Sequence, residues 1–398
     1  MTRRLVLLPV LLIVSGCGLE PRDRITDPAS PQASDIDGLW TLSLWLGVAV
    51  WVIVMGLLAV PLLRSWRRRR DDHSSDRTGA SGRDRPAASD RGRPATSDRD
   101  HLDAEVAGSA SRDGPRTGAT APGAELDEPI AVADPHEHDE AQRDAPARSR
   151  LLWLGGIVVP AVILLLLLVA SGQVGSSTAH VEREGELEID VVGHMFWWEV
   201  HYPEEGITTA NEIHVPVDRP VRLNLTTEDV IHSFWIPRVH GKIDMIPGQE
   251  NLLTFEPTET GRFRGQCAEY CGIAHAQMVA FLEVQEADEF DAWVEAQQAD
   301  AAEPQTDQEI EGQRVFIEAG CAACHAVQGT EAVAGVGPDL THLASRGSLA
   351  AGIRPNTRDD LEELIVDPWG VKPGNPMPPT TLETDELEAL LDYLEVLE

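Results

Sequence analysis

Two stretches constrain this chain before anything else in it is read. Leu39 to Leu63 runs for 25 residues without a charged side chain, and Leu151 to Ser171 for 21. Each is long enough as a helix to cross a hydrocarbon layer of about 30 Å, where the backbone must satisfy its own hydrogen bonds. A buried helix of a large soluble domain is the alternative, but uncharged runs of this length are rarely that. The flanks give direction. RSWRRRR follows the first run, and Arg148 and Arg150 precede the second. Arginine-rich flanks stay on the cytoplasmic side. The chain is therefore expected to start outside, enter, return, and leave everything after Ser171 outside a bacterial cell membrane.

The start agrees with this. Residues 1–16 carry Arg3 and Arg4, an apolar run and small residues, the layout of a signal peptide. Their ending, VSGC, resembles a bacterial lipoprotein signal with lipidation at Cys17; ordinary cleavage beside a spare cysteine is the alternative. Residues 64–150 hold 16 arginines and 18 acidic residues with scarcely an aliphatic cluster. Such a composition cannot bury enough apolar surface to offset chain entropy, and a disordered cytoplasmic loop is expected. Residues 172–398 hold 12 basic and 43 acidic residues, so the net charge of −34 lies almost wholly outside. That surface excludes nucleic acid as a partner and suits a cationic one. Salt adaptation explains it equally well, since the chain has only two lysines, Lys242 and Lys372.

Beyond Glu186 the pattern becomes short alternating runs: ELEIDVV, MFWWEVHY, NEIHVPV, PVRLNLTT, ENLLTFEP and VAFLEV. Their spacing predicts a β-sandwich or barrel over residues 180–300, closed by a helix at DEFDAWVEAQQ. A short linker follows. Residues 306–398 then switch to helical periodicity. Ile310, Val315 and Phe316 mark one helix, and Leu361, Leu364 and Ile365 a second, capped by Thr357 with Asp360. Leu387, Leu390, Leu391 and Leu394 mark a last helix with Thr384 as its expected N-cap. An all-α domain this small usually needs a cofactor to complete its core.

CAACH at 321–325 supplies one. It is the haem-attachment signature, in which Cys321 and Cys324 form thioethers and His325 ligates iron. Zinc would want four ligands, and only His342 is near enough in sequence to be a fourth. Haem iron takes a sixth ligand, often methionine, and Met377 in GNPMPP is the sole methionine after His325. The domain resembles class I cytochromes c: GVGPDL at 335–340 follows the haem motif, a Met-Pro pair carries the distal ligand, and Gly312, Phe316 and Tyr393 match the family's helix crossing.

The stretch CAEYCGIAHAQM at 267–278 gathers Cys267, Glu269, Cys271, His275 and Met278. One helix face would also produce this spacing, although Gly272 and strand-like flanks count against it. A Cys267–Cys271 disulfide suits an oxidising compartment, and structural zinc is a third alternative. Thiolates with imidazole and a weak thioether are also the ligand set of copper electron-transfer sites. Two bridging cysteines would need a second histidine from elsewhere, and IHSFWIP at 231–237 supplies His232.

With His232 added, the chain resembles subunit II of cytochrome c oxidase, with its dinuclear copper A centre in a cupredoxin domain. The haem domain makes it similar to the caa3-type class, in which cytochrome c is fused to the C-terminus. The resemblance implies that Cys267 and Cys271 bridge two copper ions, that His232 and His275 each cap one, and that Met278 sulfur and the Glu269 carbonyl are further ligands. It also implies a magnesium ion near the Glu269 side chain, where the chain would meet subunit I; Asp244 is a weaker candidate for that ion. Two departures stand out. GHMFWW at 193–198 replaces the family's G-H-Q-W-Y-W, which puts Phe196, with Trp197 beside it, at the position where electrons arrive. Gln249 replaces the arginine of P-G-R. His194, His201, His214 and His240 match no ligand position and are read as strand or loop residues.

The implied function is electron input to a haem–copper oxidase. An external c-type cytochrome would reduce the fused haem, the haem the copper pair, and the copper pair subunit I, where O2 is reduced and protons are pumped. The chain itself is expected to hold no catalytic residue. The alternatives are the copper-bearing subunit of a related nitric oxide reductase, or a membrane-tethered electron carrier without a catalytic partner.

Overall fold

The computed structural model describes residues 27–78, 149–179, 183 and 185–398, with side chains to residue 67 in the first helix. The signal peptide, Cys17 and residues 79–148 of the expected loop lie outside the described residues.

The first helix, α1, spans Pro31–Thr78. It starts well before Leu39 because Ser30 accepts the N–H of Ala33 (3.0 Å) as an N-cap and Pro31 occupies the first helical position. It also runs past Leu63, so residues 64–78, expected in the loop, are helical. The segment before it is tied to the sandwich, since Ala29 donates to the Arg238 carbonyl (2.7 Å) and Thr258 donates to that of Ala29 (2.9 Å). The second apolar helix covers Ser149–Thr178 and contains a π-helical turn at Leu154–Val158 ahead of α2, Val159–Thr178. Among the described residues, those from Val48 to Thr78 and from Ser149 to Val162 belong to one unit and the rest to another. In the first of these, Trp51, Leu57, Leu62, Leu151 and Leu152 are exposed, on helices long and apolar enough to cross a membrane.

Ten strands follow: β1 (Leu187–His194), β2 (Trp197–Tyr202), β3 (Ile207–Ala210), β4 (Glu212–Pro216), β5 (Val221–Thr227), β6 (His232–Trp235), β7 (Ile243–Met245), β8 (Asn251–Phe255), β9 (Gly261–Cys267) and β10 (Val279–Gln285). They form two five-stranded sheets, ordered β3-β2-β1-β5-β8 and β4-β10-β9-β6-β7. Strict alternation in β1 and β5 turns Leu187, Ile189 and Val191 inward beside Val221, Leu223 and Leu225. These close on Phe234, Phe263 and Leu282 of the other sheet. This is the sandwich the sequence predicts, with β3, β6, β7 and β9 added to the six expected strands. α3 (Ala287–Gln297) closes it, and Trp293 stacks on His214 at 4.3 Å. His194, His201 and His214 lie in strands and His240 in a loop.

The C-terminal module holds α4 (Asp307–Glu318), a 3-10 turn at Cys321–Ala323, a two-residue strand pair β11 (Ser348–Leu349) and β12 (Arg354–Pro355), then α5 (Arg358–Val366), α6 (Pro368–Val371) and α7 (Thr384–Glu395). The strand pair is a small exception to the all-α expectation. Thr357 caps α5, accepting from the Asp360 N–H (3.2 Å). The cap of α7 is Glu383, one residue before the expected Thr384. Glu383 itself is extended, and its N–H donates to Glu386 (3.0 Å), the reach-back bond of a capping box. α4 and α7 cross at Gly312, where a Cβ would come within 2.0 Å of the Ala389 carbonyl oxygen, and Phe316 meets Tyr393 edge-on. His342 points away from CAACH, between the carbonyls of Glu398 (2.7 Å) and Gln297 (3.2 Å).

Candidate metal centres

The first centre is built by sheet pairing. β6 runs antiparallel to β9, with Phe234 opposite Cys267, which brings His232 beside the end of β9. The chain then loops from Cys267 to Met278, closed where the Cys267 N–H donates to the Met278 carbonyl (2.9 Å). Cys267 and Cys271 are free and their sulfurs stand 3.8 Å apart. His232 Nδ1 lies 3.8 Å from Cys267 Sγ, and His275 Nδ1 lies 3.7 Å from Cys271 Sγ. Met278 Sδ is 3.9 Å from Cys271 Sγ, and the Glu269 carbonyl oxygen 3.2 Å from Cys267 Sγ. The six residues named in advance thus meet at one place. The ligand atoms of His232, Cys267 and Cys271 fall within 4.8 Å of one another, and all three residues are buried.

The protons of this cluster argue for a cation. The hydrogen bond between the two sulfurs, with that to His232, holds the Cys267 pKa far below that of an ordinary thiol despite burial; the same bond, burial and the neighbouring charge push that of Cys271 up. One thiolate is welcome there, and a second needs positive charge between the sulfurs. Burial opposes a charged His232, but the sulfur and Asp229 outweigh it and raise its pKa. Soft sulfur donors with two imidazoles fit copper better than a hard cation.

Sequence reasoning missed Asp229. Its Oδ1 lies 2.8 Å from His232 Nε2, and its other oxygen accepts the N–H of Met195 (2.6 Å). A carboxylate on the far nitrogen fixes the tautomer that offers Nδ1 to a metal. The only signal was an acid three residues before the histidine. Glu269 is exposed, its carboxylate accepting from the Tyr270 N–H (3.2 Å), and Asp244 is an exposed residue of β7. Neither side chain joins the cluster.

The second centre is a crevice lined by Cys321, Cys324, His325 and Met377, with Phe316, Leu361 and Leu390 among its apolar walls. His325 Nδ1 faces the Pro338 carbonyl oxygen at 2.7 Å, which leaves Nε2 toward the cavity, and burial lowers its pKa. A neutral imidazole is the form that binds a metal. Gly337 gives the ring its room, since a Cβ there would sit 2.7 Å from His325 Cε1. Arg346 is a wall residue whose buried Nε has no partner among the described residues. An apolar slot with two thiols, an oriented imidazole, a thioether and a guanidinium that bonds the Asp339 carbonyl but keeps a free Nε fits a haem with its acidic side chains. Phe196 and Trp197, the expected site of electron arrival, belong to the cupredoxin yet also line this crevice.

A sandwich with a soft-ligand loop, a CxxCH crevice and two apolar helices defines the class: a cupredoxin joined to a cytochrome c. Residues 205–285 match the family "cytochrome C oxidase subunit II, periplasmic domain", and residues 310–398 match "cytochrome c". Cytochrome c oxidase subunit 2 of Alkalihalophilus pseudofirmus is 38% identical over 254 residues, 60% of this chain and 71% of the relative. That of Bacillus subtilis is 33% identical over 262 residues, 62% and 72%. The periplasmic domain of subunit II of cytochrome oxidase from Bradyrhizobium japonicum is 34% identical, covers 30% of this chain and 97% of that one, and has a TM-score of 0.29. The chain belongs to the cytochrome c oxidase subunit 2 family and carries a C-terminal cytochrome c domain. Its family implies copper in the first centre, and the added domain implies haem in the second.

Proposed function

We propose that this chain is the electron-input subunit of a respiratory haem–copper oxidase. It passes single electrons from an external c-type cytochrome, through its own haem, to the copper pair and on to a separate subunit that reduces O2 and pumps protons. When bound, the two groups supply reversible one-electron storage. The protein supplies the ligands: Cys321, Cys324, His325 and Met377 for haem, and His232, Cys267, Glu269, Cys271, His275 and Met278 for two coppers. The exposed Glu269 carboxylate remains available to a magnesium ion where the catalytic subunit docks.

One observation carries the order of the route. Phe196 and Trp197 wall the haem crevice, and a Cβ on Gly272 in the copper loop would lie 3.0 Å from the Phe196 ring. Both aromatics are buried, at 6% and 8% exposure, so a soluble cytochrome has no access to them while the haem module is in place. Electrons therefore arrive through the module. The test uses the assembled oxidase, purified through this chain, with soluble c-type cytochrome as donor. Removing residues 303–398 should cut cytochrome oxidation severely with the copper spectrum intact. An unchanged rate would mean that the cupredoxin accepts electrons directly.

A further inference from the structure

Lys372, one of the chain's two lysines among 32 basic residues, is 4% exposed in the segment between α6 and Met377. Its Nζ donates to the Phe196 carbonyl oxygen (2.6 Å) in the cupredoxin and to that of Ala350 (3.0 Å) in its own module. Burying an ammonium group is costly unless its hydrogen bonds are made. Here they are made to two carbonyls on opposite sides of a domain boundary, without a carboxylate among these acceptors.

Both acceptors are special. The Phe196 ring touches two loops: a Cβ on Gly272 of the copper loop would lie 3.0 Å from it, and one on Gly374 3.5 Å. Ala350 opens a left-handed run with Ala351 and Gly352, at φ of 52°, 57° and 79°. Side-chain-bearing residues avoid that region, so outside contacts must hold the run. The cupredoxin supplies them. The Val279 N–H donates to the Ala351 carbonyl (3.0 Å), and Ala351 is buried with Trp197 and Ala210. Nearby, Glu212 accepts from the Gly347 N–H (3.1 Å) and the Ser348 hydroxyl (2.7 Å).

We propose that Lys372 is a positioning residue: a latch that fixes the haem module on the copper loop by tying the Met377 loop, the 350–352 turn and the Phe196 carbonyl together. This rests on the electron route proposed above and assigns what holds its two stations in register. The bonds go to main-chain carbonyls, so the docked state is set by shape and geometry. These two bonds pair the lysine with no surface carboxylate, so salt screening acts on them little.

The lysine content makes the latch directly readable. Lys242 is exposed and Lys372 is not. In the assembled oxidase, a small amine-reactive reagent should modify Lys372 at least about tenfold more slowly than Lys242. Equal rates overturn the proposal. In Lys372→Met, which keeps the stem and loses the donor, the Val279 and Gly347 amides should exchange hydrogen about tenfold faster. Copper and methionine-ligated haem spectra should be unchanged, and haem-to-copper electron transfer about tenfold slower. Unchanged exchange and transfer also overturn it. If Lys372→Met does not retain haem, the wild-type labelling contrast decides. Absence of haem-to-copper transfer in the wild type would strike the proposed route instead, with labelling and exchange still deciding whether the latch exists.

Discussion

In the cupredoxin, His232 and Cys267 stand together because β6 pairs with β9, and the loop to Met278 is closed by a main-chain bond where β10 begins. In the haem module, His325 and Met377 lie in segments that no sheet or helix pairing joins, and they share only the walls of a crevice. The first site is a small perturbation on a core that already exists, with Phe234, Phe263 and Leu282 packed beneath it. The second is the middle of its domain, where Phe316, Leu361 and Leu390 line the space that haem would fill. Metal binding should therefore be nearly separable from folding in one module and inseparable from it in the other.

The sharpest way to break that contrast is to block haem attachment. Replacing Cys321 and Cys324 by Ala should leave residues 306–398 largely unfolded, seen as lost helical signal and rapid proteolysis beyond the linker, with the copper spectrum retained. A protease-resistant, helical module without haem would end the comparison. Next in size is the copper site. Cys271→Ser should abolish bound copper by metal analysis and leave both the covalent haem and the sandwich's thermal transition in place. Copper retained at full level, or zinc in its stead, would refute the two-thiolate centre.

Asp229 sharpens the comparison from beside the ligands. Asp229→Ala frees His232 Nε2 and should weaken copper binding about 10–100-fold in chelator competition, while Asp229→Asn, which keeps a hydrogen-bonding oxygen, should fall between. In the haem module the matching probe is the helix crossing. Gly312→Ala places a methyl against the Ala389 carbonyl and should cost the module about 1–3 kcal/mol in denaturant unfolding, with no effect on the sandwich.

The smallest expected effect is on acid stability. Burial opposes ionisation of Glu199, but hydrogen bonds from His194 and His201 hold its pKa down at about 2, against an ordinary 4.5. A carboxyl depressed in the folded state adds stability that is present above its unfolded value and lost as pH falls through the folded one. Glu199→Gln should therefore flatten the loss of sandwich stability between about pH 4.5 and 2, measured by thermal melting, and leave the haem module's profile unchanged.

Much of this was legible because it is local. Alternation set out β1, β2, β4, β5, β8 and β10, and the uncharged runs marked both apolar helices. Four strands escaped for physical reasons. HSFW and IDM are too short to show a period, β3 is four residues long, and GRFRGQC carries glycine and arginine on a strand held by its neighbours on both sides. The start of α1 was hidden by a proline that belongs at a helix beginning, and its arginine-rich end reads as loop by composition alone.

The ligand types and their order were in the sequence, since a CxxCH motif, a C-x-E-x-C-x-x-x-H-x-x-M loop and one further histidine each need only a few residues. What the tertiary structure alone decided is which distant groups support them. Asp229 meets the histidine only in its folded turn. Glu212 reaches Ser348 across 136 residues, and Lys372 reaches the Phe196 carbonyl across 176. No periodicity or spacing carries such contacts, because they follow from how two finished domains pack, and packing is a property of surfaces that exist only after each has folded.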